Sequence, residues 1–510
     1  MSRTDRTPWF ELVGLLVITL LAFALRLPGL DAQGLWHDEL YTLGNLAGFD
    51  LYLFPGADLA HSEPIRSAGY WVVQLSRDSF WVNLWRNLVH EGHPPLYLFL
   101  LKTWTGLVGS SEVKVRLFSV IASTMAVPAM FLAGRRLGGR AVAVLAASLL
   151  AVTPFQVHVS YEARYYGLLV FMATAATWAA LELRAVAPAP RRGTWAAWLL
   201  LGTGLCFSHY FGALYCLLLL ALLIWPAHGE RKRFFLSCPN AVATLPMALF
   251  SLWLPVLYLQ TRSHGTGHWT QGHLGFIASV EAAATGVLEL ISSPQLSAPP
   301  AELWFVIGLL LLCLVVTLWS LREDHDKLPL RLLATIPIHA LVVFTVDAML
   351  DHHTIAVARY SSCLAIPITL LIAFSLARLR TAGVTLAGVF VLLSLQASIA
   401  TIRGDRAPRQ MLREAASYIN THATPQDLVV VTPSGPSLIG VAFYLDPATP
   451  VCAVPAADLR TIVEDLDRSP GQKIWSVQQH LGLEYESWAD PTTPPSEHTV
   501  RFAGLDLVTY

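Results

Sequence analysis

The sequence predicts a mainly α, polytopic transmembrane helical bundle with a small extracytoplasmic α/β domain at its C-terminal end. Three observations predict it. Of 510 residues, 54% are hydrophobic and only 14% charged, with a mean hydropathy of +0.52, so the chain lacks the charged shell a soluble protein of this length needs. The apolar residues come in blocks of bilayer length. Basic residues recur in every second loop between blocks, which is the positive-inside pattern. The formal net charge of -1 offers no global attraction to nucleic acid.

The first block, 9–27, is long for a signal-peptide core. It closes on Arg26 and Leu27 with Pro28 next, in place of a small-residue cleavage site, so it reads as a retained first helix. Further spans are expected at 118–133, 141–158, 166–183, 195–207, 211–226, 241–259, 303–320, 330–348, 361–377 and 384–402, about eleven in all. Arg3 and Arg6 precede the first. Arg135, Arg136 and Arg140 follow the second, Arg184, Arg191 and Arg192 the fourth, and Arg231, Lys232 and Arg233 the sixth. Arg322, Lys327 and Arg331 follow the eighth, and Arg378 and Arg380 the tenth. These loops are then cytoplasmic, as is the N-terminus, and everything after Arg403 is outside. Residues 96–108 are too short to span and keep the alternation only as an interfacial helix in a long first outer loop, 28–116, with 84–89 as another short piece.

The chain therefore divides into a transmembrane domain, 1–402, and a soluble domain, 403–510. The second combines helical spacing at 408–422, a β-branched run at 428–432, an apolar stretch at 440–445 behind a Pro/Ser/Gly turn, and a strand candidate at 473–477. No internal repeat or low-complexity segment is visible. The six cysteines form no CxxC pair or other metal-ligand spacing, which argues against a thiolate zinc site and a disulfide framework and reads them as small core hydrophobes.

Polar clusters fall on the outer side. Trp36-His37-Asp38-Glu39 sets two adjacent carboxylates just past the first span: one suits a base, the other an orienting group or metal ligand, against the alternative of a solvated acidic loop. His93-Pro94-Pro95-Leu96-Tyr97 fixes the entry to the interfacial helix, or is simply a helix start. Tyr161-Glu162-Ala163-Arg164-Tyr165 puts an arginine among interfacial tyrosines, where it holds a phosphate or only anchors an aromatic belt. Arg359-Tyr360 opens the tenth span on the side where basic residues are otherwise scarce, which marks Arg359 as an anion-site candidate. Asp351-His352-His353 lacks a clear third metal ligand, and His209, His264, His268 and His273 are scattered. Arg26 either helps hold an anion or snorkels.

These pieces, in this order and on one side, resemble the GT-C membrane glycosyltransferases, in the branch of protein mannosyltransferases and lipid A aminoarabinose transferases. The resemblance rests on Arg26, Leu35-Trp36-His37-Asp38-Glu39, His93-Pro94-Pro95-Leu96-Tyr97, Arg116-Leu117-Phe118-Ser119, Ser160–Tyr165, His209-Tyr210 and Arg359-Tyr360. It is clearest over 10–215 and returns near 359–377. Phe118 stands where that family usually has Pro. The resemblance implies an inverting transferase using a polyprenyl-phosphate sugar donor and a hydroxyl acceptor on a lipid, protein or polysaccharide. Asp38 takes the position of the acid that activates the acceptor, with Glu39 in support. Arg359 and Arg164 are candidates for the lipid phosphate. Arg26, His93, Tyr161, Glu162, Tyr165, His209 and Tyr360 are the remaining substrate-binding candidates. No cofactor is certain. A divalent metal would use Asp38, Glu39 and Glu162, although the Asp-x-Asp-like metal motif of some relatives is reduced here to one acid. The implied location is the inner or plasma membrane, multi-pass. The rival readings are a transporter or flippase of a lipid-linked sugar, which would more often carry repeated halves, and a non-catalytic envelope scaffold, which leaves Asp38, Glu39 and Arg359 without a task.

Overall fold

A computed structural model describes residues 9–46, 63–70, 85, 87–89, 92–185, 192–224, 238–262, 270, 272, 274–292, 300–320, 327–403, 411–432, 436–455, 459, 471–479, 498–502 and 505–510. Arg3, Arg6, Arg191, Arg231, Lys232, Arg233, Arg322, His264, His268 and His273 lie outside the described residues, as does part of 84–89. The chain is helical from Trp9–Arg26 (α1), through His37–Leu46 (α2) and Leu96–Val108 (α3), to the long Glu112–Val152 (α4), Pro154–Ser160 (α5) and Tyr166–Ala185 (α6). Arg192–Ser208 (α7), Tyr210–Ile224 (α8), Cys238–Ser251 (α9), Leu254–Thr261 (α10) and Phe276–Ile291 (α11) follow. Then come Pro300–Ser320 (α12), Leu328–Leu350 (α13), two 3-10 turns at Thr354–Ala356 and Ala358–Leu364, Ala365–Arg378 (α14) and Arg380–Arg403 (α15).

Among the described residues, eight helices are long and apolar enough to cross a bilayer. One of them, α4, is two antiparallel legs. Gly138 and Gly139 leave helical geometry, and Gly139 sits at φ 80°, open to glycine and costly for other residues. In a straight helix residues 123 and 151 would lie about 40 Å apart. Arg26 hydrogen-bonds both, Ser123 Oγ at 3.1 Å and the Ala151 carbonyl at 2.9 Å. The spans expected at 118–133 and 141–158 are these legs, the second continued by α5. The span expected at 241–259 is α9 and α10, broken at Leu252–Trp253. On α1, α12 and α15 large apolar side chains face outward: Val17 is 59% exposed, Val315 63% and Leu392 67%. In water such faces would aggregate; in lipid they are solvated.

At the Trp9 end of α1, Glu11 pairs with Arg140 at 2.7 Å and Arg135 at 3.6 Å. Arg136 grips Glu182 nearby. Arg135, Arg136 and Arg140, three of the basic residues of the alternating loops, therefore gather at the end of α1 opposite Asp38.

After α15 come Leu412–His422 (α16) and Pro436–Tyr444 (α17), which pack on a six-stranded sheet. Its strands are Glu63–Ser67 (β1), Leu428–Thr432 (β2), Pro450–Ala453 (β3), Ile474–Gln479 (β4), His498–Phe502 (β5) and Leu505–Thr509 (β6), in the order β1-β3-β2-β4-β6-β5. β3 and β4 run parallel to β2, and the other pairings are antiparallel. Alternate residues divide between two faces: Val429 and Val431 join α16, α17, α2 and α3 in one core, while Leu428 and Val430 pack with Cys452, Ile474 and Val508 on the other. The edge strand β1 comes from the first outer loop, so the α/β layer is not built from 403–510 alone. Residues 440–444, an apolar stretch in the sequence, belong to α17, which packs against α2. Cys206, Cys216, Cys313, Cys363 and Cys452 are free, buried thiols.

Asp427 staples β2 to β4. It accepts hydrogen bonds from the Thr424 and Lys473 N–H groups at 2.9 and 3.0 Å and from the Trp475 indole at 3.1 Å. Burial alone would raise its pKa; these donors outweigh it and hold the carboxyl below its usual value. A depressed folded pKa adds stability above the unfolded value, about 3.9, and loses it as pH falls through the folded one. Asp427→Asn should cost about 2 kcal/mol at pH 7 and flatten the acid arm of the stability curve below about pH 4, read by Trp475 fluorescence during denaturant unfolding.

Candidate active site

The site forms where α2, the loop between α5 and α6, and the 3-10 turn before α14 meet. Trp36 precedes α2, and Glu39, three residues on, turns its carboxylate back to the Trp36 N–H at 3.4 Å, the reciprocal half of a capping box. Adjacent helix positions point about 100° apart, so Asp38 and Glu39 face different surroundings.

Glu39 is 1% exposed. Oε1 accepts from Arg116 Nε at 2.9 Å and from the Ala163 N–H at 2.8 Å, and Oε2 from the other arm of Arg116 at 2.6 Å. With the Trp36 N–H these contacts fill about the four lone-pair positions a carboxylate has. Glu39 therefore stitches α2 to α4 and to the 161–165 loop, and neither proton transfer nor metal ligation has an oxygen left to use. The contacts around Glu39 are ties between elements, and Asp38 is the partly exposed acid of the pair. Arg116, whose remaining N–H groups bind the carbonyls of Leu30, Gln33 and Gly34 at 2.6, 2.8 and 3.0 Å, was not among the expected site residues. The signal was present in Arg116-Leu117-Phe118-Ser119, but an arginine opening an apolar block looks like an anchor.

Asp38 keeps its carboxylate partly exposed, its side chain 24% accessible, with Oδ2 3.7 Å from a terminal nitrogen of Arg359 and 4.0 Å from Nε of Arg164. Arg164 also donates to the Asp38 carbonyl at 2.9 Å and to Thr42 Oγ1 at 3.1 Å, and lies over the Tyr165 ring. Arg359 lies over Trp36 and Tyr166, 5.6 and 5.8 Å from the ring centroids. The 3-10 turn just before it, Thr354–Ala356, is held by Asp347, which accepts from Thr354 Oγ1 at 2.5 Å and from the Ile355 N–H at 2.8 Å.

Aromatic and imidazole rings line the neighbouring space. His93 stacks on Tyr165 at 4.2 Å and meets His209 at 5.0 Å, and His209 lies 5.7 Å from Tyr360. His209 Nδ1 accepts the Phe211 N–H at 3.2 Å, so the ring proton of the neutral form sits on Nε2. Burial, then His93 and Arg164, hold its pKa well below the ordinary imidazole value, which makes it a neutral donor. Nε2 is buried and meets no hydrogen-bond partner among the described residues.

Arg26, Tyr161 and the paired histidines have other tasks. Arg26, expected among the substrate-binding residues, is fully buried and caps helix carbonyls of Ala22, Leu150 and Ala151. Tyr161 donates to the Leu25 carbonyl at 2.9 Å, and His352 and His353 tie to Thr270 and Gly272. Glu162 is buried 4.0 Å from His158. Among the described residues no three of His, Cys, Asp and Glu converge as metal ligands. Glu39 is saturated and Asp38 faces two guanidinium groups, so the donor set does not fit the divalent metal considered from sequence.

Comparison with solved structures decides the fold. ArnT from Cupriavidus metallidurans in the apo state superposes with a TM-score of 0.55 at 14% identity, covering 89% of this chain and 95% of that one. The chain has the GT-C glycosyltransferase fold. The same protein bound to undecaprenyl phosphate gives a TM-score of 0.52 at 14% identity, covering 98% of this chain and 97% of the other. A family model described as dolichyl-phosphate-mannose-protein mannosyltransferase matches residues 92–256, from His93 into α10, which is less than half of the chain. No curated protein matches in sequence. In the GT-C fold seen here, Asp38, Arg164 and Arg359 come together although they lie far apart in sequence, and His93, Tyr165, His209 and Tyr360 wall the adjoining space.

Proposed function

We propose that the protein is an inverting glycosyltransferase of the inner or plasma membrane that moves a sugar from a polyprenyl-phosphate donor to a hydroxyl acceptor on the outer face. The observation that carries this reading is the partly exposed Asp38 carboxylate set between Arg164 and Arg359 at one end of a lipid-solvated bundle. The fold, which it shares with a protein seen bound to undecaprenyl phosphate, supports a lipid-linked donor. The gathering of Arg135, Arg136 and Arg140 at the opposite end supports an outward-facing site.

Each part has a chemical reason. A hydroxyl is a weak nucleophile, and Asp38 takes its proton as the acceptor oxygen bonds to the anomeric carbon. The bond from that carbon to the phosphate oxygen breaks, and the lipid phosphate leaves with the electron pair. It needs charge stabilisation more than a proton, which Arg359 and Arg164 supply. Attack opposite to the departing phosphate inverts the anomeric centre. The neutral His209 Nε2–H and the stacked His93 and Tyr165 suit a sugar ring and its hydroxyls.

The test uses purified protein in proteoliposomes with hexosyl and pentosyl polyprenyl phosphates and envelope extract as the acceptor source. Wild type should consume one donor class, and Arg359→Gln should lower kcat/KM by about 10²–10³-fold. Lipid binding without turnover of any donor, unchanged by the substitution, would instead favour a transporter or scaffold.

A further inference from the structure

Five consecutive carbonyls precede α2, and every one is held by a guanidinium. Arg116 takes those of Leu30, Gln33 and Gly34 from the membrane bundle. Arg413, on α16, takes those of Asp31 and Ala32 at 2.9 and 3.1 Å. The next backbone group, the Leu35 N–H, donates to the Tyr444 hydroxyl on α17 at 2.8 Å. Tyr444 in turn donates to Glu112 Oε1 at the start of α4, and Glu112 Oε2 receives Arg413 at 3.1 Å. Burial and then the bond to Glu112 push the Tyr444 phenol up, so it remains a donor. The α/β layer also touches the Asp38 helix directly. A Cβ on Gly440 would come within 2.4 Å of Leu40 and 2.7 Å of Leu412, so only glycine allows α17 this close to α2.

We infer that Tyr444 and Arg413 are positioning residues: with Glu112 they lock the segment 31–35 between the α/β layer and the bundle, and so fix where Asp38 presents its carboxylate. Neither residue touches the reacting atoms; both act through the backbone that leads into α2. The inference rests on the proposed role of Asp38. It gives the α/β layer a task in the chemical step, separate from any in acceptor choice.

The physical reason for such a lock is that a general base must sit within hydrogen-bond reach of the proton it removes, and a displacement of about 1 Å costs up to about 10²-fold in rate. Segment 31–35 lies outside any helix or strand, so side-chain donors are what hold it.

The test compares Tyr444→Phe and Arg413→Ala with Asp427→Asn, which weakens the same layer away from the lock. Turnover is followed in proteoliposomes, and amide hydrogen exchange of 31–42 is followed alongside. Tyr444→Phe and Arg413→Ala should lower kcat about 10–100-fold while donor KM stays within about twofold, and should speed exchange at 31–42. Asp427→Asn should lower stability and leave kcat and that exchange unchanged. Unaltered exchange at 31–42 in both lock variants would overturn the inference, whatever the activity. So would equal loss of kcat in all three variants, which would mark general destabilisation. A wild type that turns over no donor would sink the functional reading, while the exchange result would still decide the lock.

Discussion

Asp38→Asn is expected to lower kcat by about 10³-fold and to leave donor binding intact or slightly tighter. The asparagine side chain keeps the volume and the polar contacts, and Arg164 still reaches the backbone carbonyl of residue 38 at 2.9 Å, so α2 has no reason to move. The lost capacity is proton acceptance. Removing one negative charge from between Arg164 and Arg359, 4.0 and 3.7 Å away, makes the site more attractive to a phosphate, so donor KM should fall or hold. The measurement is consumption of labelled donor in proteoliposomes, with donor affinity determined separately. Loss of both turnover and affinity would mean that Asp38 serves to organise the two arginines and that the base lies elsewhere. Wild-type turnover in Asp38→Asn would remove it from the mechanism.

The difference between Asp38 and Glu39 marks the limit of what the sequence reveals. The membrane segments are legible because hydropathy acts locally: a block of apolar residues must be lipid-facing or buried wherever the chain goes. Among the described residues each of the eleven apolar segments is largely helical, and the break within α4 lies where Gly138 and Gly139 interrupt it. The facing of polar side chains is a tertiary fact. Asp38 and Glu39 are neighbours in sequence, and the helix turns one toward Arg164 and Arg359 and the other into Arg116. Arg26 and Arg359 look alike as arginines at span ends, yet one caps buried carbonyls and the other lies between Trp36 and Tyr166. β1 was invisible for a related reason. Glu63-Pro64-Ile65-Arg66-Ser67 has no alternating pattern, and its pairing partner, β3, lies near the other end of the chain. Asp38, His93, Arg164, His209 and Arg359 do come together, because each sits at a helix end and helix ends on one side of a bundle are neighbours.

Glu39→Gln and Arg116→Met should each destabilise the fold by about 3–5 kcal/mol, the largest stability effects expected in the molecule. Both side chains are buried, 1% and 6% exposed, so losing either leaves an unbalanced charge away from water. Arg116→Met also strips three carbonyls of their donors, and Glu39→Gln presents an amide to a guanidinium and gives the Ala163 N–H donor a weaker partner. The double variant, Glu39→Gln with Arg116→Met, should cost clearly less than the sum, since no buried charge remains. Asp38→Asn should change stability by less than about 1 kcal/mol. Thermal and denaturant unfolding in detergent would separate the two neighbouring acids on this basis. If Glu39→Gln instead folded as well as wild type and lost only turnover, the four contacts at its carboxylate would not be structural ties. Glu39 would then have to be a partner in proton transfer, releasing Arg116 during the reaction, and the division of labour between these two adjacent residues would have to be reversed.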